Sequence, residues 1–465
     1  MDGLEAVELN FSDTINDAEI FRLDAEHYKK EYLGIKRILG NHECVLLSEL
    51  VVQTISTGHT PSMANEKFYG GDIKFIKTDN LRDNFIKPEF NHYLSDLGNQ
   101  EIKRTQLQVN DIIVTIIGAT QAIIGRATKI NEEILPANIN QNIALIRVDS
   151  KKIVPDYVNI YLNSFYGRNY LYYLSRQTEQ VNLNCEELGR LQIPIFSNDF
   201  QIHIETLVKS AYQKLEESKK LYSEAEELLL EELGLNDFTP SNECVAVKSF
   251  SESFGMSGRL DAEYYQLKYD DIIERIKSYR GGYSTVSEVC TLNDTNFTPN
   301  DNEIYNYIEL SNIGLNGEIK GCMREKGADL PTRARRKVNT GQVIVSSIEG
   351  SLQSIAIVSA EYNKALCSTG FYAINSKQIN SETLLVLLKN EAMQAVLKKG
   401  CSGTILTAIG KDEFLSIPLP LIDEKVQQII AEKISESFTL RAKSKRLLEE
   451  AKTAVERAIE QGETI

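Results

Sequence analysis

Residues 201–233, QIHIETLVKSAYQKLEESKKLYSEAEELLLEEL, place Ile204, Val208, Ala211, Leu215, Ser218, Tyr222, Ala225 and Leu229 at alternating steps of four and three. That spacing is the narrow seam of a coiled coil, so the stretch reads as one long helix with a single face in want of a partner. The partner stands 226 residues further on, where Gln427, Ile430, Ile434, Ser437, Arg441, Ser444, Leu448, Ala451 and Val455 carry the same spacing. Only Arg441 departs from the pattern. Short runs repeat as well: Ser218-Lys219-Lys220-Leu221 against Ser444-Lys445-Arg446-Leu447, and Ala225 against Ala451. Two like helices, one between two halves of the chain and one after the second half, point to an internal duplication.

A second repeat marks the start of each half. Arg22-Leu23-Asp24-Ala25-Glu26-His27-Tyr28 returns as Arg259-Leu260-Asp261-Ala262-Glu263-Tyr264-Tyr265. The first copy is expected near the start of a helix over residues 17–39, where acidic side chains ordinarily serve the helix dipole. Short strands follow. Asp72-Ile73-Lys74-Phe75-Ile76-Lys77 alternates and breaks at Thr78-Asp79-Asn80, and Asp111-Ile112-Ile113-Val114-Thr115-Ile116-Ile117 reads as a buried strand ending at Gly118. The second half replays the order: Tyr307-Ile308-Glu309-Leu310-Ser311-Asn312, then Gln342-Val343-Ile344-Val345-Ser346, then Leu415-Ser416-Ile417-Pro418 answering Leu191-Gln192-Ile193-Pro194. Each half also has a helix near its end, over 157–174 or 382–398. The expected fold class is α+β: two similar domains with a β core and flanking helices, at 1–198 and 236–422, and two long helices at 199–235 and 423–462. An Ile-Pro step closes each globular part, because proline disfavours helix in the residue before it.

Composition bounds the function. A chain of 465 residues with 42% hydrophobic and 8% aromatic residues can bury substantial cores. Its seven cysteines stand singly, with no C-x-x-C pair, so neither a disulfide framework nor a zinc knuckle is indicated, and a reducing cytoplasm fits best. The opening residues lack a basic segment leading into an apolar run, and no apolar run approaches a membrane span; the expectation is a soluble protein that is not exported. A net charge of −15 argues at first against nucleic acid. Much of the acid, however, sits on the long helices, as Glu224, Glu226, Glu227, Glu231 and Glu232, while Arg324, Lys326, Arg333, Arg335, Arg336 and Lys337 form a local basic cluster. Such a distribution suits a subunit that meets DNA with part of its surface and proteins with the rest.

A search for catalytic motifs finds none that fits. Gly403 to Gly410-Lys411-Asp412 imitates a phosphate loop, but Asp412 replaces the hydroxyl residue that holds magnesium. There is no H-E-x-x-H or Cys/His ligand set, and the five histidines all lie in or just after the first half. The F-x-G-x-G and Asn-Pro-Pro-aromatic motifs of amino-methyltransferases are absent too. Glu89, Glu101 and Lys103 imitate a nuclease carboxylate/lysine set that the second half does not match.

Several blocks together resemble a known family: Gly58-His59-Thr60-Pro61 followed by Tyr69-Gly70-Gly71-Asp72-Ile73-Lys74-Phe75-Ile76, Gly118 to Gly125-Arg126, Asn138 to Asn142, and Ile417-Pro418-Leu419-Pro420 to Gln427 ahead of a long helix. In this order, and repeated across the halves, they resemble the specificity subunit of type I restriction-modification systems over nearly the whole chain. The second half departs from the pattern in having Asn296-Phe297-Thr298-Pro299 and Glu349-Gly350 where the first has its glycine turns. The resemblance implies two target recognition domains, each reading one part of a split double-stranded DNA site, separated by two antiparallel helices. It also implies partners: DNA adenine methyltransferase (modification) subunits that bind S-adenosylmethionine, and in the full complex a restriction subunit that uses ATP and magnesium. No cofactor is expected in this chain. Helices of about 33 residues are about 50 Å long, enough to hold two reading heads at least one DNA turn, about 34 Å, apart.

Base edges are read by Arg, Lys, Asn and Gln, and phosphates are held by the same groups and hydroxyls. Polar residues beside strand ends are therefore the candidates. They are Lys77, Thr78, Asn80, Thr120, Gln121, Arg176, Gln177 and Gln180 in the first half, and Asn312, Arg324, Arg333, Arg335, Arg336, Lys337, Ser351, Gln353 and Thr404 in the second. Two other readings remain: a stand-alone nuclease built on Glu89, Glu101 and Lys103, and a coiled-coil protein scaffold that binds no DNA.

Overall fold

The computed structural model describes residues 7–8, 10, 25–118, 120, 122–177, 181–243, 245–403 and 407–463. The chain divides into two compact units, Met1–Gln213 with Lys443–Ile465, and Lys214–Ala442. Helices and strands are mixed in both.

At the centre of the first unit runs Ile112–Thr115, a β-branched strand buried along its whole length. Period-two alternation sends Ile112 and Val114 into the helix-covered core and Ile113 into a second apolar cluster with Ile143 and Leu145. This strand is third in a four-stranded antiparallel sheet ordered Ser56–Thr57, Ile143–Ile146, Ile112–Thr115, Ala127–Lys129. A separate mixed sheet pairs Ala137–Ile139 in parallel with Tyr69–Ile76, which pairs antiparallel with Tyr93–Leu94.

The second unit has corresponding parts. Val343–Ser346 is third in the antiparallel order Cys290–Asn293, Phe371–Ser376, Val343–Ser346, Ile355–Ile357. Val343 and Val345 face one core and Ile344 the other. Its mixed sheet runs Met323–Lys326, Ile304–Ile308, Leu366–Ser368, Ala334–Lys337, with the middle pair parallel. The turn into the central strand is built alike in both units. Asp111 accepts from the Gln108 amide at 2.7 Å and Gln342 accepts from the Asn339 amide at 2.8 Å. The residue before each, Asn110 (φ 71°) or Gly341 (φ 83°), is left-handed, a conformation open to asparagine and glycine.

Three expectations need correcting. First, the described part of the helix expected over 17–39 is an α-helix only at Lys30–Leu39, after a short 3-10 turn at Ala25–Tyr28; residues 17–24 lie outside the described residues. In the second half the repeated motif precedes the helix Leu267–Lys277, and Asp261 serves no dipole. Its carboxylate grips the Arg259 guanidinium at 2.6 and 2.8 Å, and that guanidinium donates to the Cys401 carbonyl at 2.9 Å and lies over the Tyr264 ring. The motif ties the entry of the domain to the end of the helix Glu391–Lys399. Second, each of the helices expected at 157–174 and 382–398 is two helices, Pro155–Asn163 with Phe165–Leu174 and Ser381–Lys389 with Glu391–Lys399. Ser164 and Asn390 are extended and cap the second of each pair through the Gly167 and Met393 amides, which stops the first. Third, Pro194 answers Pro420 and not Pro418, since Gln192–Pro194 pairs with Cys44–Leu46 in the register in which Pro418–Pro420 pairs with Tyr283–Thr285.

The two long helices span Asn198–Leu233 and Glu424–Gln461. Of the eight seam positions on the first, Leu215 alone is half-buried and the others are buried. Within the unit Lys214–Ala442 the helices touch and run antiparallel: the Ser437 hydroxyl donates to the Ser218 carbonyl at 2.8 Å, and Lys433 pairs with Glu224 at 2.5 Å. The hydroxyls of these two serines are also partnered to each other, at 3.0 Å.

A glutamine near the start of each long helix fastens it to its domain. Gln201 accepts from the Val154 amide at 3.0 Å and donates to the Phe196 carbonyl at 2.9 Å. Gln427 accepts from the Asn380 amide and donates to the Ile422 carbonyl, both at 2.9 Å. Both side chains are buried, 5% and 7% exposed, so removing either strands a backbone amide and a carbonyl away from water. Gln201→Leu and Gln427→Leu should each cost about 2 kcal/mol of stability in their own unit. Urea denaturation followed by hydrogen exchange is the check, with faster exchange at Val154 in the first variant and at Asn380 in the second.

Candidate nucleic-acid interface

The residues expected to read bases fall into two groups once burial is known. Asn80 is buried, its Oδ1 accepting from the Lys77 amide at 2.9 Å and its Nδ2 donating to the Glu89 carbonyl at 2.8 Å. Asn312, half-buried, makes the matching bond in the second unit, its Oδ1 accepting from the Glu309 amide at 2.8 Å. Both close the turn that follows the first strand of a mixed sheet, which uses up the side-chain oxygen. Arg336 is a further correction: it is 8% exposed and donates to the Asn293 carbonyl at 3.2 Å. Ser351 is half-buried and meets the Ser346 hydroxyl at 2.9 Å. These four side chains hold turns and strands in place.

The others lie nearer to solvent. Lys77 extends along Phe75, its ammonium 5.8 Å from the ring centroid, and Thr78 is half-buried. Thr120 is exposed, and Gln177 belongs to the strand Arg176–Gln177. Arg176 is 61% exposed and donates to Glu187 at 3.0 Å. Arg324 is exposed on Met323–Lys326. Arg333 is 63% exposed and 3.5 Å from Glu309, Arg335 is exposed and donates to the Thr332 carbonyl, and Lys337 lies over Phe297 with its ammonium 4.7 Å from the ring. Gln353 is exposed, and its carbonyl accepts from Lys389 at 2.7 Å. Gln121, Gln180 and Thr404 lie outside the described residues.

The basic cluster of the second half does not converge on one point. Met323–Lys326 and Ala334–Lys337 are the two opposite edges of a four-stranded sheet, so the strands that bear these cations are about 14 Å apart at the usual spacing. Strand alternation divides the second group again, sending Arg335 outward and Ala334 and Arg336 inward. A grouping of cations that the sequence hides appears in the first unit instead. Arg82, Arg126 and Arg168 come from three separate segments, and the Arg126 guanidinium is held below its ordinary range by burial and by the facing Arg82 and Arg168, with Asp83 opposing them. Arg168 is 15% exposed and already donates to Asp83, to the Asn163 side chain at 3.0 Å and to the Ile124 carbonyl at 2.9 Å, which leaves Arg82 and Arg126 as the cations of the group nearer to solvent. Nothing in the linear spacing of positions 82, 126 and 168 signals the group.

Glu89, Glu101 and Lys103 are all exposed, Glu89 in a loop and Glu101 at the end of the helix Asp96–Glu101. Among the described residues no three His, Cys, Asp or Glu are grouped so as to hold a metal ion, and no helix is long and apolar enough to cross a membrane.

Residues 282–452, which carry both arginine-bearing edge strands, match the family described as the type I restriction modification DNA specificity domain. The chain resembles type I restriction-modification specificity subunits. It is 26% identical over 203 residues to the EcoBI specificity subunit of Escherichia coli, a match covering 42% of each chain. To the HindI specificity subunit of Haemophilus influenzae it is 27% identical over 184 residues, 38% of each. The matches thus span about two fifths of these relatives' lengths. Among solved structures, the S subunit from M. genitalium overlaps 90% of this chain and 95% of its own at 14% identity and a TM-score of 0.40. The HsdS subunit from Thermoanaerobacter tengcongensis overlaps 90% and 97% at 14% identity and a TM-score of 0.31.

Burial separates the arginines into two kinds with different expected effects. Replacing Arg324, Arg333 and Arg335 with alanine should weaken DNA binding and flatten its salt dependence, by about 0.9 in the log-log slope for each phosphate no longer neutralised. Arg126→Ala should act in the same way. Arg336→Ala should lower the melting temperature and leave the slope unchanged. Fluorescence anisotropy across a salt series, beside thermal denaturation, distinguishes the two.

Proposed function

We propose that this chain is the DNA sequence-recognition subunit of a type I restriction-modification complex. It binds an asymmetric, bipartite double-stranded site and positions adenine methyltransferase subunits, and in the full assembly a restriction subunit, upon it. The chain performs no chemistry of its own; S-adenosylmethionine, ATP and magnesium belong to the partners, and the complex works in the cytoplasm. In this reading residues 1–198 and 236–422 are the target recognition domains, and 199–235 and 423–462 are the helices that set the spacing between the parts of the site. The observation that carries it is the match of residues 282–452 to a DNA specificity domain, together with the same antiparallel strand order in residues 56–146, which the match does not cover.

Within this reading the first unit binds through Lys77, Thr78, Thr120, Arg176, Arg82 and Arg126. The second binds through Arg324, Arg333, Arg335, Lys337 and Gln353. Side chains differ between the units at these places while the turns beneath them agree, so two different sequences are read and the site is not a palindrome. Acidic faces of the long helices are left for protein partners.

Mapping of methylated adenines in host DNA, with and without this chain, is the test. Loss of methylation from one split, asymmetric motif is expected when the chain is removed. An unchanged methylation map, or cleavage of DNA by the purified chain with magnesium and no partner, overturns the reading.

A further inference from the structure

Each unit has a hairpin that follows the first strand of its mixed sheet, and each hairpin is fastened to a long helix, but by different chemistry. In the first unit the fastening is neutral. The Tyr212 hydroxyl donates to the carbonyl of Asn84 at the hairpin tip, and the Asn84 side chain accepts from Asn159 at 2.8 Å and Asn163 at 3.1 Å. In the second unit it is ionic. Arg441, the one charged seam position of the second long helix, donates to the Glu318 carboxylate at 3.1 Å. Both side chains are about one-fifth exposed (21% and 20%).

Glu318 is itself held in place. Its other oxygen accepts from the Asn316 amide at 3.2 Å, and its carboxylate lies over Gly314, where an added Cβ would stand 2.2 Å from it. The charges around the pair come from every packed element: Glu226 and the Tyr222 hydroxyl from the first long helix, and Lys389 from the end of Ser381–Lys389. Lys389 is 8% exposed, its ammonium donates to the Gln353 carbonyl at 2.7 Å, and burial pulls its pKa down to about 8, against the favourable influence of Glu318 and Glu226. Two cations and two carboxylates thus lie between the helices, the hairpin and the loop that carries Gln353. An apolar residue at position 441 would avoid the cost of removing a guanidinium from water, so the net stability that a partly buried ion pair adds does not by itself account for the arginine there.

We propose that Arg441 and Glu318 are positioning residues that hold the hairpin 313–319 and, through Lys389, the Gln353 loop in one orientation on the long helices. They thereby set how faithfully the second unit reads its part of the DNA site. This rests on the recognition function proposed above. The intact complex with its methyltransferase subunits is assayed on DNA carrying single-base changes in one part of the site or the other. Glu318→Gln and Arg441→Leu should each lower discrimination in the part read by the second unit, about tenfold, and leave the other part unaffected. The swap Glu318→Arg with Arg441→Glu should restore most of it, and Tyr212→Phe should move only the other part. Amide exchange at 313–319 and 349–354, measured on the complex without DNA, should rise in the two single variants. Unchanged exchange and unchanged discrimination in near-isosteric Glu318→Gln, in a complex that still methylates, overturn the positioning role. A wild-type complex indifferent to base changes in both parts would instead overturn the recognition function.

Discussion

The constraint on which the structure depends is that each core is closed by parts of both long helices, and that in the first unit one of those parts, within Lys443–Ile465, returns from the far end of the chain. The first long helix gives Phe200, Ile204 and Val208 to the core of one unit and Tyr222, Ala225, Leu229 and Leu233 to the core of the other. The second gives Ile430 and Ile434 to one and Ala451, Val455 and Ile459 to the other. Each buried aliphatic side chain is worth about 1.5–3 kcal/mol, so the first unit deprived of the distant helix end with Ala451, Val455 and Ile459 forfeits a large part of a typical domain's net stability. The seam of each helix is therefore shared out between the two cores. Small or hydroxyl-bearing side chains such as Ser218, Ser437, Ala225 and Ala451 are used at buried points along it.

Within each unit, polar side chains, all but Asn312 buried, hold equivalent backbone points. Asn80 and Asn312 close one turn, Asp111 and Gln342 another, Ser164 and Asn390 cap the same helix break, and Gln201 and Gln427 brace the same entry. Residue type is free to change between the units so long as one acceptor oxygen reaches the same amide, because that amide has no other partner away from water. Two of these pairs, Asp111 with Gln342 and Ser164 with Asn390, differ in residue type yet agree in structure, while the asparagine and glutamine pairs keep theirs. They offer a scaffold on which exposed side chains can vary without disturbing the strands beneath.

Much of this organisation was legible in the linear sequence. The four-three seam, the two copies of the Arg-Leu-Asp-Ala-Glu motif and the β-branched runs at Ile112 and Val343 are local patterns whose meaning follows from helix and strand periodicity. The repeat also extends into the helices after that motif, where Tyr32, Ile35 and Leu39 are buried as Tyr269, Ile272 and Ile276 are. The candidate interface was less legible, because an asparagine beside a strand end satisfies the composition rule for base reading and the rule for turns equally well. Only burial and hydrogen bonding assign Asn80 and Asn312 to the turns.

The sequence by itself determined the helix pair, the two-part order of elements and the kinds of residue that face water. Those follow from periods of 3.5 and 2.0, which need no knowledge of distant neighbours. Tertiary structure decided which cations share a surface. It parted Arg335 from Arg336, set Arg324 at the far edge of the sheet, gathered Arg82, Arg126 and Arg168 from separate segments, and gave Arg441 the partner Glu318. Charge acts through space over several ångströms, and the folding of the chain, not its order, sets those separations.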